Sequence, residues 1–191
     1  MRLFIAADLP DTAREALGAE QKRFAAALGS SRSALKWVTF EHAHLTLVFL
    51  GNVEDARVPA VIDAVAVDVD APPFDVAFEG AGVFPPHGAP RVLWIGVGAG
   101  ARELCDLQHV VAARIAAFGL PIEDRAYHPH LTLARWRESR NSDRNRALAA
   151  APHGVVARAR ISGATLYQSR LLPEGPAYTA LARANLTGRR T

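Results

Sequence analysis

The chain has 191 residues, half of them hydrophobic and 21% charged, which is enough apolar side chain for one sizeable core, or two small lobes sharing an interface, and excludes wholesale disorder. A net charge of +3 and a pI of about 9.5 permit an anionic partner without demanding one, and the scattering of basic residues outside the Arg189-Arg190 tail excludes a nucleic-acid-binding arm. Cys105 is the only cysteine, so no internal disulfide forms; with an N-terminal apolar run of only Leu3 to Ala7 and no stretch long enough to span a membrane, a soluble cytoplasmic protein is expected.

Residues 2–8 (RLFIAAD) predict a buried strand. Pro10 and Asp11 then open an alanine-rich helix to about residue 28, the proline sitting near the first turn where its missing N–H is not needed. Residues 35–39 are extended, 43–50 (AHLTLVFL) form a strand closed by Gly51-Asn52, and a helix over about 54–67 stops at Asp70 and Pro72-Pro73. Residues 74–83 alternate as a strand before a Pro85-Pro86-His87-Gly88 loop. The second half starts the pattern again: a strand at 91–97 (RVLWIGV), a helix at 101–118, a strand at 130–136 (HLTLARW) and a shorter helix near 142–150. Final strands are expected near 155–167, broken at Gly163, and 178–186.

Strand, helix and motif strand thus recur at spacings of 89, 90 and 86 residues. That regularity implies an internal duplication and an α+β fold: two similar antiparallel-sheet lobes, helices outside, a cleft between them. No flexible linker intervenes, so residues 1–191 are read as one domain, with pseudo-repeat halves of about 1–88 and 89–191.

The sharpest feature is a pair of matched hexapeptides, His42-Ala43-His44-Leu45-Thr46-Leu47 and His128-Pro129-His130-Leu131-Thr132-Leu133. In a strand, residues two apart share a face, so His44 and Thr46 point one way while Leu45 and Leu47 enter the core. The same parity holds for His130 and Thr132. A lone strand histidine is more often structural, but two copies at matching places in a duplicated chain point to one groove lined by both His/Thr faces.

These stretches, with MRLFIAADLP, WVTFEHAHLTLVFLGNV, PRVLWIGV, YHPHLTLARW and LYQSRLLPEGPAYTALA, resemble the 2H phosphoesterases over nearly the whole chain. Within them the nearest resemblance is to the RNA 2′,3′-cyclic phosphodiesterase group, historically called 2′-5′ RNA ligases. The resemblance implies a bilobal fold and a metal-independent, cofactor-free hydrolysis of RNA 2′,3′-cyclic phosphate ends to 2′-phosphates by a monomer. It implies His44 as proton donor to the leaving 3′ oxygen, His130 as base for water, and Thr46 and Thr132 as phosphate ligands. Two imidazoles suit this chemistry because each can hold either protonation state near neutrality, and the threonine hydroxyls can hold the non-bridging oxygens.

Arg135 could pair with phosphate, but its strand parity opposes His130, so either a bulge re-aims it or it serves structure. Tyr167 and Ser169 are further substrate-binding candidates by the resemblance. Trp37, Phe40 and Phe84 are aromatic and could stack a base, although aromatics flanking strands usually pack. Cys105, beside Leu104 and Leu107, is expected to be a buried inert thiol. Two other readings stay open. His42/His44 and His128/His130 have a spacing compatible with zinc, and the same chemistry run with a hydroxyl in place of water, or non-catalytic binding of RNA ends, are alternatives to hydrolysis.

Overall fold

Strict alternation in the first strand decides where the core lies. Leu3, Ile5 and Ala7 are fully buried, and Phe4, Ala6 and Asp8 between them project to the opposite face. The structure, a computed structural model, describes residues 1–29, 35–120, 122, 126–172 and 175–189, with the backbone alone at His42. Among these the elements run β1 (Arg2–Asp8), α1 (Asp11–Leu28), β2 (Leu35–Trp37), β3 (His44–Asn52), α2 (Val58–Ala66), β4 (Phe74–Phe84) and β5 (Val92–Val97). They continue as α3 (Ala101–Ala116), β6 (His130–Trp136), α4 (Asn141–Ala149), β7 (Val155–Ile161), β8 (Gly163–Leu172) and β9 (Gly175–Asn185). The α+β class and the two antiparallel sheets are as expected. The predicted helix over 54–67 is split, a short 3-10 turn at Asp55–Arg57 leading into α2.

The sheets have strand orders β3-β1-β8-β9 and β2-β6-β5-β4-β7, which corrects the division of the chain at residue 88. β4 belongs to the second sheet, and β8 and β9 return to complete the first. Strands joined by short connections pair with each other, as β4 does with β5 and β8 with β9, so the boundary between lobes follows the hairpins. The return occurs at Ser162, the one residue between β7 and β8. There Gly163 lies so close to β9 that a Cβ would run into the Ala184 carbonyl oxygen.

The long helices exchange partners. α1 follows β1 of the first sheet yet packs on β7 of the second, and α3 follows β5 of the second sheet yet packs on β3 of the first. α2 and α4 cover the outer faces beside them, against β8–β9 and β4. α1 turns Ala13, Leu17, Phe24 and Leu28 inward and α3 turns Leu104, Leu107, Val111 and Ile115 inward, helical spacings that give each one apolar stripe. Each fully buried large side chain in such a stripe contributes about 1.5–3 kcal/mol, so pulling the lobes apart would expose both stripes. Gln21 of α1 adds a polar tie, its Nε2 donating to the Val38 carbonyl at 2.8 Å and to the Leu133 carbonyl at 2.9 Å.

Gly163→Ala is expected to destabilise the protein, because the new Cβ meets backbone that cannot rotate away. Overpacking of this kind costs about 1–3 kcal/mol, and at roughly 2–4 °C per kcal/mol for a chain of this size the loss is measurable as a lowered thermal midpoint. An unchanged midpoint would show that β8 and β9 can separate freely at the crossover.

Candidate active site

Alternation alone cannot account for the two motif strands. In β3, Ile5 of β1 faces Val48 while Ala6 faces Thr46, so Leu47 is an extra residue without a partner. In β6, Leu93 of β5 faces Ala134 while Trp94 faces Thr132, so Leu133 is extra in the same way. Each is a β-bulge, which inverts the parity of everything beyond it. Burial follows the inversion. His44 and Thr46 are half-buried on one face, Leu45 and Leu47 are buried, Val48 is buried next to Leu47, and Phe49 is exposed; β6 repeats this pattern from His130 to Arg135. The ladder therefore matches Ile5 with Leu93 and Ala6 with Trp94, one residue off the 89-residue spacing read from the sequence.

The bulge re-aims Arg135. Past Leu133 its side chain returns to the face of His130 and Thr132, where it is exposed. Burial raises the Tyr178 phenol above its ordinary value, and the positive charges of Arg135 and Arg2 pull the other way. Tyr178 lies on β9 of the first sheet with its ring edge-on to His44, centroids 5.4 Å apart. An arginine from the second lobe thus bears on a tyrosine beside the histidine of the first. β3 and β6 also pack against each other, so the two polar faces adjoin.

Each histidine sits in an aromatic nest. The His44 ring stacks on Phe4 at 4.7 Å with planes 27° apart, and Tyr167 is stacked further out at 6.3 Å. The His130 ring meets Phe84 edge-on at 5.0 Å and Trp94 at 6.0 Å. His128, exposed, lies against Trp94 at 4.8 Å. Trp94 can lie flat in the second nest because its neighbour across the ladder is Gly82, where a Cβ would collide with the indole. The His130 Nδ1 is 2.7 Å from the His128 carbonyl oxygen. A carbonyl only accepts, so Nδ1 carries a proton in either charge state and the neutral ring has its lone pair on Nε2.

Asp8, opposite His44 in the ladder, belongs to no motif of the sequence. Its carboxylate accepts from Tyr167 Oη at 2.6 Å, from the buried Thr165 Oγ1 at 2.7 Å and from Arg183 at 2.8 Å, so it fixes the tyrosine that stacks outside Phe4. Its one local signal is a carboxylate directly after the apolar run Leu3 to Ala7. Ser169 is half-buried opposite Tyr178 on β8. Trp37 and Phe40 pack against the core, whereas Phe84 is part of the His130 nest. Cys105 is half-buried on α3 with its thiol pushed up by burial and by Asp106. Among the described residues no group of three or more His, Cys, Asp or Glu is placed to hold a metal ion; the four-histidine reading also needs the His42 side chain, which lies outside the described residues. No helix among them is long and apolar enough to cross a membrane.

The model of the 2′-5′ RNA ligase superfamily matches residues 9–170. An Archaeoglobus fulgidus RNA 2′,3′-cyclic phosphodiesterase is 33% identical over 95% of this chain and 98% of its own length. The Escherichia coli RNA 2′,3′-cyclic phosphodiesterase is 31% identical over 97% of each. A Thermus thermophilus crystal structure superposes with a TM-score of 0.79 at 29% identity, covering all of both chains. E. coli LigT complexed with 3′-AMP superposes with a TM-score of 0.73 at 28% identity, over 97% of this chain and 98% of that one.

All three tyrosines of the chain resist ionisation. Burial pushes Tyr127 up strongly; burial and then the Asp8 hydrogen bond push Tyr167 up to about 12; burial raises Tyr178. With folded values above the unfolded value of about 10, their contribution to stability is complete below that pH and is lost as pH climbs towards and past 12. Near-ultraviolet titration of the folded protein should show little tyrosinate just above pH 10, where the denatured chain is already half ionised. Tyr167→Phe should reduce the alkaline loss of stability.

Proposed function

The chain belongs to the 2′-5′ RNA ligase superfamily, and from that premise we propose that it hydrolyses 2′,3′-cyclic phosphates at RNA ends, with His44 and His130 as its acid and base. The observation that carries this reading is the double occurrence of a His-x-Thr face on two strands with the same bulge, next to an arginine turned onto that face by it. The names of the relatives above point to the same substrate, and the 3′-AMP complex of E. coli LigT supports a site able to take a nucleotide.

Balance of the reaction assigns the groups. Water attacks phosphorus and loses a proton to His130, whose Nδ1–H is held by the His128 carbonyl and whose Nε2 lone pair is thereby presented. The bond from phosphorus to the 3′ oxygen breaks, and His44 gives that oxygen its proton. Stacking on the Phe4 face holds that ring in one orientation, as a positioned acid requires. Thr46 and Thr132 donate to the non-bridging oxygens, and Arg135 neutralises the charge that builds on them. The products are a 2′-phosphate and a free 3′-hydroxyl. Both proton transfers run through side chains, so turnover should survive exhaustive chelation, and activity that vanishes with EDTA and returns with zinc would favour the metal reading.

With one histidine neutral and the other protonated, rate against pH is expected to be bell-shaped, its limbs belonging to the coupled pair. His44→Ala and His130→Ala should each remove most turnover, and the double variant should lose far less than the product of the two. Thr46→Ala and Thr132→Ala should each lose about 1.5–3 kcal/mol of transition-state binding, the worth of a hydrogen bond to a charged group. Arg135→Gln should fall in the same range or beyond. Phosphorus NMR of the product locates the phosphate. A 3′-phosphate would reject the assigned regiochemistry, and full activity in either alanine variant of a histidine would reject the mechanism.

A further inference from the structure

Strand for strand, the first sheet β3-β1-β8-β9 corresponds to β6-β5-β4-β7 of the second, since the bulges match β3 with β6 and β1 with β5. That leaves β2 without a counterpart: it is the fifth strand of the second sheet, paired to the outer side of β6. Leu35 and Trp37 of β2 pack against the core, so Lys36 between them is the one side chain that β2 turns to the opposite face. Lys36 lies directly opposite Arg135 in the ladder, and residues directly opposite in an antiparallel pair share a face. The strand peculiar to the second lobe therefore adds a single group to the cleft face, a cation. Both side chains are exposed, and among the described residues neither forms an ion pair with a carboxylate. Like charges directly opposite each other in a sheet are destabilising, a cost that a bound anion removes. Arg2 adds to the same end of the cleft, since its charge and that of Arg135 both bear on the Tyr178 phenol. Along β6 the order is His130, Thr132 and then Arg135, and Lys36 stands one strand spacing further out, about 4.8 Å. An RNA strand leaves its cyclic end through the 5′ oxygen of the terminal ribose, and the first group it meets there is a phosphodiester.

We propose that Lys36 holds the phosphodiester on the 5′ side of the terminal nucleotide, the link between the cyclic end and the rest of the RNA. The inference rests on the phosphodiesterase reading above and deepens it. Arg135 serves the reacting phosphate and Lys36 the next one, so the site favours the end of a strand over a free mononucleoside cyclic phosphate, which lacks that second phosphate. An ammonium binds phosphate as a point charge and reads no base, so this preference is independent of sequence. An edge lysine has one other use: β2 is an edge strand, and a charge there discourages pairing with another chain. The two roles predict different outcomes for a reversed charge.

The test compares kcat/KM for a trinucleotide RNA ending in a 2′,3′-cyclic phosphate with that for adenosine 2′,3′-cyclic phosphate. Lys36→Gln should lower the ratio of the two about threefold at low salt, within the roughly 1.4- to 5-fold that one exposed ion pair is worth. The slope of log kcat/KM for the trinucleotide against log salt should also flatten by about 0.7, the share of one phosphate contact on a single strand. Lys36→Arg should retain both ratio and slope. Lys36→Glu keeps a charge on the edge but repels phosphate, so its ratio should fall below that of Lys36→Gln. Equal losses on both substrates in Lys36→Gln overturn the proposal, as does a wild-type ratio in Lys36→Glu, which is what edge protection alone predicts. Should Lys36→Gln aggregate, the Arg and Glu variants decide alone: a lower ratio for Glu supports the proposal and equal ratios overturn it. If neither compound is hydrolysed, the phosphodiesterase reading fails separately, and calorimetric Kd values for the trinucleotide ending in a 2′-phosphate against adenosine 2′-phosphate carry the comparison. Weakening confined to the trinucleotide in Lys36→Glu then supports the contact, and equal affinities of variant and wild type, or equal weakening of both ligands, overturn it.

Discussion

A strand that buries one face can present only alternate side chains on the other, and one extra residue in its partnered length exchanges the two sets beyond that point. Leu47 and Leu133 are such residues. Ahead of each, His and Thr face the cleft; behind each, Phe49 or Arg135 does so too, while Val48 and Ala134 drop into the core. Without the bulges Phe49 and Arg135 would face the core side and Val48 and Ala134 the cleft. Both substitutions would be unfavourable, since a buried guanidinium needs a paired charge and an exposed apolar pair forfeits its burial. The second bulge is also anchored from outside the sheet. The Leu133 carbonyl accepts from the Val38 N–H at 3.0 Å and from Gln21 of α1.

That anchoring links the site to the exchange of helices. α1 belongs by sequence to the first sheet and by packing to the second, and α3 the reverse. Two lobes that merely touched would resemble a transient interface and be free to move. Here the stripe of each long helix is buried against strands of the other lobe, and β3 and β6 are held at the line of contact.

The nests on either side of the cleft share a plan and differ in chemistry. Position by position, Tyr167 across from Phe4 corresponds to Phe84 across from Val92, and Asp8 opposite His44 corresponds to Gly96 opposite His130. One histidine therefore has a phenol–carboxylate pair near it and the other a bare backbone and a main-chain carbonyl on Nδ1. A duplicated scaffold with unlike surroundings is what two imidazoles need if one is to give a proton while the other takes one.

Local pattern determined much of this. Apolar alternation, helix-starting proline and glycine breaks located most elements to within a few residues, β1 and β6 among them, because such signals act over one strand or one turn. The repeated His-x-Thr marked both motif strands, and the adjacent apolar pairs Leu47-Val48 and Leu133-Ala134 already carried the bulges. Assignment of strands to sheets was beyond it, since hydrogen-bond partners of β4, β8 and β9 are settled by which edges are open when the chain collapses, and spacing along the chain does not record that. Asp8, Tyr178, Phe49 and Gln21 acquired their places only through residues up to 175 positions away, as Arg183 is from Asp8. A side chain's type is written locally, but the neighbours that orient it are brought together by burial of a common core.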